Sequence, residues 1–167
     1  MSVTLVLPEL IERELQASLA DPIETGAVLL VRKAELGTGM RLLGRSLHWV
    51  SADAYLERTR TSMAITPEGY VPALGLAEMD GSTALWVHTH PGHRATPSPS
   101  DWDAIVDRQI ADLFRLRSGS DDYGTLIIAP AHDGFSFTGM IEGIESERRP
   151  IDRLWTVGGA WRLRSSF

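Results

Sequence analysis

The sequence contains no cysteine. This absence excludes disulfide bonds, zinc sites built on thiolates, and catalysis by a cysteine nucleophile. Any metal site in this protein must therefore draw its ligands from histidine, aspartate and glutamate side chains.

Long apolar runs and an excess of basic residues are also missing. No segment approaches the roughly 20 apolar residues of a transmembrane helix, and the start, MSVTLVLPEL, lacks the basic and long apolar regions of a signal peptide. We therefore expect a cytoplasmic protein without a membrane partner. The net charge of −6 argues against a nucleic-acid partner, because nucleic-acid binders usually carry a basic face.

The composition is that of an ordinary globular protein. Its 167 residues are 43% hydrophobic and 23% charged, which fits one folded domain over residues 1–167. Periodicity predicts helices over residues 9–19, 70–79 and 101–114. It predicts strands over residues 3–7, 26–31, 40–50, 62–65, 83–90, 123–129, 135–141, 151–157 and 160–163. Residues 52–60 are polar and predict a loop or a short helical turn.

The expected fold is α/β, with a mixed central sheet flanked by helices. The pairs of strands within residues 26–50 and 123–141 are predicted to form antiparallel hairpins, because short turn sequences separate their members. The last two strands are predicted to form a third hairpin around Gly158 and Gly159.

Two histidines stand two residues apart where a predicted strand ends. Side chains alternate along a strand, so His88 and His90 point to the same face. Pro91 stops the strand, and the following loop leads to Asp101 at the start of a helix, where a carboxylate is favoured. Two histidines and one aspartate would leave a fourth position for water, which is typical of a catalytic zinc site.

A hydrolase also needs a base that is not a metal ligand. Glu24 is the best candidate, because it directly precedes the apolar strand that begins at Gly26. Ser98 precedes the helix and is a candidate donor to an oxyanion. Capping of the helix by Ser98 and Asp101, and a solvated loop position for Glu24, are the plainer alternatives.

The segment from His88 to Asp101 resembles the H-x-H-P and P-S-x-x-D signature of the JAMM (JAB/MPN) metallopeptidases, and Glu24 resembles their upstream glutamate. The resemblance implies the three-layer MPN fold, which is similar to that of cytidine deaminases, and a Zn²⁺ isopeptidase acting on a ubiquitin-like protein. More narrowly, the chain is similar to bacterial JAB-domain proteins associated with activating-enzyme-like and conjugating-enzyme-like partners, some of which act in antiphage defence.

The resemblance also suggests where the modifier's C-terminal tail would bind. The edge of a strand accepts an extended peptide through main-chain hydrogen bonds. We expect residues 52–60 and the following strand to form this groove, with contacts from Thr61, Ser62, Met63, Ala64 and Ile65. An ordinary strand without this role is an equal alternative.

Three other functions remain open from the sequence. The first is C-terminal trimming of a sulfur-carrier protein in cofactor biosynthesis. The second is a non-catalytic MPN scaffold that only binds partners, although such scaffolds usually lose ligands. The third is a role linked to DNA, against which the acidic net charge argues.

Overall fold

The computed structural model describes residues 2–37, 39–92, 95–145, 147–159 and 162–166. Its helices are α1 (Glu9–Ser18), α2 (Val71–Asp80) and α3 (Asp101–Ser118). Its strands are β1 (Ser2–Pro8), β2 (Gly26–Leu36), β3 (Gly39–Trp49), β4 (Tyr55–Arg58), β5 (Met63–Ile65), β6 (Thr83–Thr89), β7 (Tyr123–Ala131), β8 (Gly134–Glu142), β9 (Arg148–Pro150), β10 (Arg153–Val157) and β11 (Arg162–Ser165).

Within these residues, nine strands form one mixed sheet in the order β11-β10-β1-β3-β2-β6-β7-β8-β9. The pairs β1–β10, β1–β3 and β6–β7 are parallel, and the other neighbours are antiparallel. β4 and β5 form a separate two-stranded hairpin. Among the described residues, none of the helices is long and apolar enough to cross a membrane.

Helices cover both faces of the sheet. α1 packs on β1, β3 and β10, whereas α2 and α3 pack on the opposite face against β2, β6 and β7. The central strand β2 is therefore buried on both faces. Leu29 belongs to the core on the α1 side, and its neighbours Val28 and Leu30 belong to the core on the other side. A strand buried on both faces needs a continuous apolar run rather than an alternating one, as residues 26–31 provide.

The prediction of a mixed sheet flanked by helices is confirmed, as are the hairpins β2–β3 and β7–β8. β10 and β11 also pair in antiparallel fashion, although Ala160 and Trp161 of the predicted last strand, like Thr38 in the predicted β2–β3 turn, lie outside the described residues. Two strands were not predicted. β4 forms within polar residues 52–60, after a short 3₁₀ helix, and β9 is only three residues long.

Candidate metal and catalytic site

Two histidine side chains project from the end of β6 onto the face covered by α3. His88 and His90 are both buried, and their Nε2 atoms lie 3.2 Å apart. The backbone keeps strand geometry through this region, since the amide of His90 donates to the carbonyl of Ile128 on the parallel strand β7. The two imidazoles therefore share one face of the sheet, as strand alternation predicts.

The N-terminus of α3 supplies the acidic group that faces these histidines. Ser100 is the N-cap: its hydroxyl accepts from the amide of Asp103, and the Asp103 carboxylate accepts from the Ser100 amide at 2.7 Å. This reciprocal capping box fixes the carboxylate at the first turn. From there Asp103 Oδ1 lies 3.2 Å from His88 Nε2, and Oδ2 lies 3.5 Å from His90 Nε2.

The three side chains form a set that can hold a metal ion. Ligand atoms bound at about 2.0–2.2 Å around a tetrahedral ion lie roughly 3.3–3.6 Å from one another. The two Nε2 atoms are 3.2 Å apart, His88 Nε2 is 3.2 Å from Asp103 Oδ1, and His90 Nε2 is 3.5 Å from Asp103 Oδ2, so the side chains are close enough to share one ion. Two imidazole nitrogens and one carboxylate suit a divalent ion such as zinc.

The acidic member of this set differs from the one that motif spacing predicts. Asp101 is the first residue of α3 and is exposed to solvent, so the structure brings Asp103 rather than Asp101 to the histidines. The physical reason is where the helix starts. With Ser100 as N-cap, the third helical position, which points back over the cap, belongs to Asp103.

Ser98 lies two residues before the cap, exposed in the loop that joins β6 to α3. The same loop is fixed to β8 by side-chain hydroxyls: Thr138 donates to the carbonyl of Pro97, and Ser136 donates to the carbonyl of Ala95 at 3.2 Å. The oxyanion role of Ser98 stays a prediction.

The structure places Glu24 beside the same histidines, although the two segments are far apart in the sequence. Glu24 lies just before β2, is 6% exposed, and has Oε1 3.8 Å from His90 Nε2. β2 and β6 are neighbours in the sheet, with Gly26 paired to His88. This pairing sets Glu24 next to the metal-binding set without making it part of that set.

The pKa values of the two carboxylates of the site are shifted in opposite directions. Burial raises the pKa of Glu24, and the nearby charges of His88 and His90 only partly oppose that rise. Burial would also raise the pKa of Asp103, but hydrogen bonds from the two histidines and the Ser100 amide outweigh it and hold the pKa well below its usual range. Asp103 is therefore held as an anion, whereas Glu24 is the group that more readily takes up a proton.

A cavity of about 340 Å³ opens beside His88, between α3 and β5 of the β4–β5 hairpin. Its lining is mostly apolar and includes the side chains of Glu24, His88 and Asp103. Three of the predicted substrate-binding residues, Met63, Ala64 and Ile65, line it as well; Thr61 and Ser62 belong to the turn before β5.

No family model matches this chain, and no curated protein is significantly similar to it. A function therefore has to be argued from the motif residues and the geometry of the site.

The helical period of α3 is a signal that favours Asp103 over Asp101 without fixing the start of the helix. Buried Phe114 and Ala111 lie eleven and eight residues after Asp103, on the side of the helix that faces the sheet. Asp107 is on the same side and accepts a hydrogen bond from the buried Tyr123 hydroxyl at 3.0 Å. Asp101 belongs to the opposite, solvated side of α3.

Proposed function

We propose that this protein is a zinc-dependent peptidase or isopeptidase of the JAMM (JAB/MPN) type. Its reaction would be hydrolysis of the amide bond after the C-terminal glycine of a ubiquitin-like modifier, in deconjugation or in precursor processing. His88, His90 and Asp103 would hold the zinc. Their mutual distances and burial support a mononuclear site, and the sheet with helices on both faces is compatible with the MPN arrangement.

The observation that carries the proposal is the position of Glu24. A purely structural metal site normally has four protein ligands, and no further carboxylate is needed. Here the described residues provide three ligands, and a buried carboxylate stands 3.8 Å from one of them without joining the set. A set of this kind is typical of hydrolytic zinc enzymes, in which a carboxylate outside the ligand set moves protons.

The zinc ion and Glu24 would have different roles in the reaction. A zinc ion held by three protein ligands lowers the pKa of water to about 7 and polarises a carbonyl group. Glu24 would accept a proton on its carboxylate and later deliver it to the leaving amine. Asp103 would serve as the anionic ligand beside the two histidines.

The cavity beside the site supports an extended peptide as substrate. Within the described residues, β5 pairs only with β4, so the other edge of β5 keeps its main-chain groups for a further strand. Met63 and Ile65 line the cavity that reaches His88. A modifier tail added along β5 would gain main-chain hydrogen bonds and reach the site with its terminal glycine.

The decisive experiment uses a ubiquitin-like protein encoded beside this gene, carrying a short C-terminal extension. We expect cleavage after its terminal glycine by the wild type with zinc, and none in the presence of a chelator. Glu24→Gln should lower kcat by about 10²–10⁴-fold, the usual contribution of an acid–base group, while the protein still binds one zinc.

Glu35→Gln is the matched control, because Glu35 is exposed at the far end of the same strand β2. We expect it to cleave like the wild type. A wild-type protein that binds one equivalent of zinc but cleaves neither this fusion nor a sulfur-carrier protein from the same gene neighbourhood would contradict the proposal and favour a binding role.

A further inference from the structure

The backbone amides of residues 24–26 are hydrogen-bonded to residues that are distant in the sequence. The amide of Glu24 donates to the carbonyl of Thr59 at 2.8 Å, and the amide of Thr25 donates to the Thr89 hydroxyl at 2.9 Å. The amide of Gly26 donates to the Tyr55 hydroxyl at 2.9 Å. Each of these three successive amides therefore has a separate partner, and two of the partners come from the β4–β5 hairpin.

Arg58, at the end of β4, adds three further hydrogen bonds to this segment. Its Nε donates to the carbonyl of Glu24 at 2.6 Å, and one terminal nitrogen pairs with Asp21 Oδ2 at 2.7 Å and donates to the Thr25 hydroxyl. Its guanidinium also lies over the Tyr55 ring, 4.8 Å from the ring centre. One side chain thus fixes both the loop before Glu24 and the residue after it.

Arginine suits this place better than lysine. The planar guanidinium directs several donors at once, so Nε and a terminal nitrogen can reach the Glu24 carbonyl and the Asp21 carboxylate together. A lysine at position 58 would keep the positive charge opposite Asp21. Its single ammonium group could not also donate to the Glu24 carbonyl in a fixed direction. The Arg58 side chain is 23% exposed, and its contacts lie on the protein side rather than in solvent.

We propose that Arg58 is a positioning residue, which holds the backbone of Glu24 so that its carboxylate stays beside His90. The inference rests on the proposed hydrolase function and deepens it. Arg58 acts through Glu24, since its contacts are to the main chain of Glu24 and to residues flanking it. The same hairpin lines the cavity through β5, so the element that would bind the substrate also holds the base.

The first test measures how firmly the backbone of residues 24–26 is fixed, and it does not need an active enzyme. Amide hydrogen exchange of Glu24, Thr25 and Gly26 is compared by NMR in the wild type, in Arg58→Met and in Arg45→Met, a control at an exposed position of β3. We expect these three amides to exchange at least about tenfold faster in Arg58→Met, and at unchanged rates in Arg45→Met. Unchanged exchange in Arg58→Met would overturn the proposal.

The second test is a double-mutant cycle on the zinc-loaded enzyme. A misplaced catalytic group costs about 10²-fold, so Arg58→Met should lower kcat by that order with zinc content unchanged and KM within about threefold. Arg58→Lys should recover part of the loss. In a Glu24→Gln background, Arg58→Met should cost nothing further, because its effect passes through the carboxylate.

The outcomes separate this inference from the proposed function. Equal losses of kcat in both backgrounds, or faster exchange with an unchanged kcat, would refute the positioning role in an active enzyme. A wild type that cleaves nothing would contradict the proposed hydrolase, and the exchange rates would still decide whether Arg58 holds Glu24.

Discussion

At the scale of single residues, the metal-binding set depends on which of two overlapping patterns starts α3. The segment Pro97-Ser98-Pro99-Ser100 offers Ser98-x-x-Asp101 and Ser100-x-x-Asp103. Both satisfy the rule that a capping serine is followed three residues later by an acidic residue. The sequence prediction takes the first pattern for the JAMM signature, although Pro99-Ser100-x-x-Asp103 fits P-S-x-x-D as well, and the structure starts the helix with the second.

Sequence reasoning could identify the two histidines and Glu24 because strand alternation and the apolar run after Glu24 are local signals. It could not fix the helix start, since both serines are suitable caps. What decides between them involves residues elsewhere in the chain: β8 holds the loop through the Pro97 carbonyl, and the buried side of α3 includes Asp103.

The choice between Asp103 and Asp101 is directly testable. We expect Asp103→Asn to weaken zinc binding by more than about 100-fold, because it removes an anionic ligand. Asp101→Asn, its matched control two residues away on the solvated side, should change the affinity less than about threefold. Competition with a chromophoric chelator measures both. Loss of zinc in Asp101→Asn with retention in Asp103→Asn would restore the set that motif spacing predicts.

At the scale of elements, the β4–β5 hairpin contacts the Glu24 segment through β4 and lines the cavity through β5. Its sequence predicts only the second of these strands. Residues 52–60 are polar and predict a loop or a short helical turn, which the 3₁₀ helix at Ala52–Ala54 matches, but the charged side chains of Glu57 and Arg58 give no sign of a strand. Arg58 and Tyr55 of β4 hydrogen-bond Glu24 and Gly26, which are distant in sequence. Contacts of that range are not visible in a local pattern.

The two strands of the hairpin should affect different kinetic constants. Met63→Asp places a charge in the apolar cavity beside β5, so we expect KM for the modifier fusion to rise by about tenfold with kcat within about threefold. Arg58→Met on β4 should instead lower kcat and leave KM within about threefold. Met79→Asp, at a position 85% exposed on α2, controls for the charge change. Unchanged KM in Met63→Asp would remove β5 from the substrate groove.

At the scale of the whole molecule, α3 connects the candidate site to the far edge of the sheet. Its first turn carries Asp103, and its last turns carry Arg115, which donates to Glu142 Oε1 on β8 at 2.8 Å. Glu142 is also paired with Arg148 on β9. This ionic cluster fixes the C-terminal half of the helix whose N-terminus would bind the metal.

The cluster makes stability depend on pH in a defined direction. Burial would raise the pKa of Glu142, but hydrogen bonds and charges from Arg115 and Arg148 outweigh it, so the pKa is lowered from 4.5. A carboxyl group whose pKa is lower in the folded state stabilises the fold above its unfolded pKa. That contribution is lost as the pH falls through the folded value.

Glu142→Gln should therefore lower the free energy of unfolding by about 1 kcal/mol at pH 7. The difference from the wild type should shrink as the pH falls below 4.5. Urea unfolding in the presence of a chelator, which removes any contribution of bound metal, measures it, with Glu145→Gln as the control at an exposed position of the following turn. A difference that stays constant down to pH 2.5, about two units below the usual glutamate range, would show that the ionised carboxylate does not hold α3.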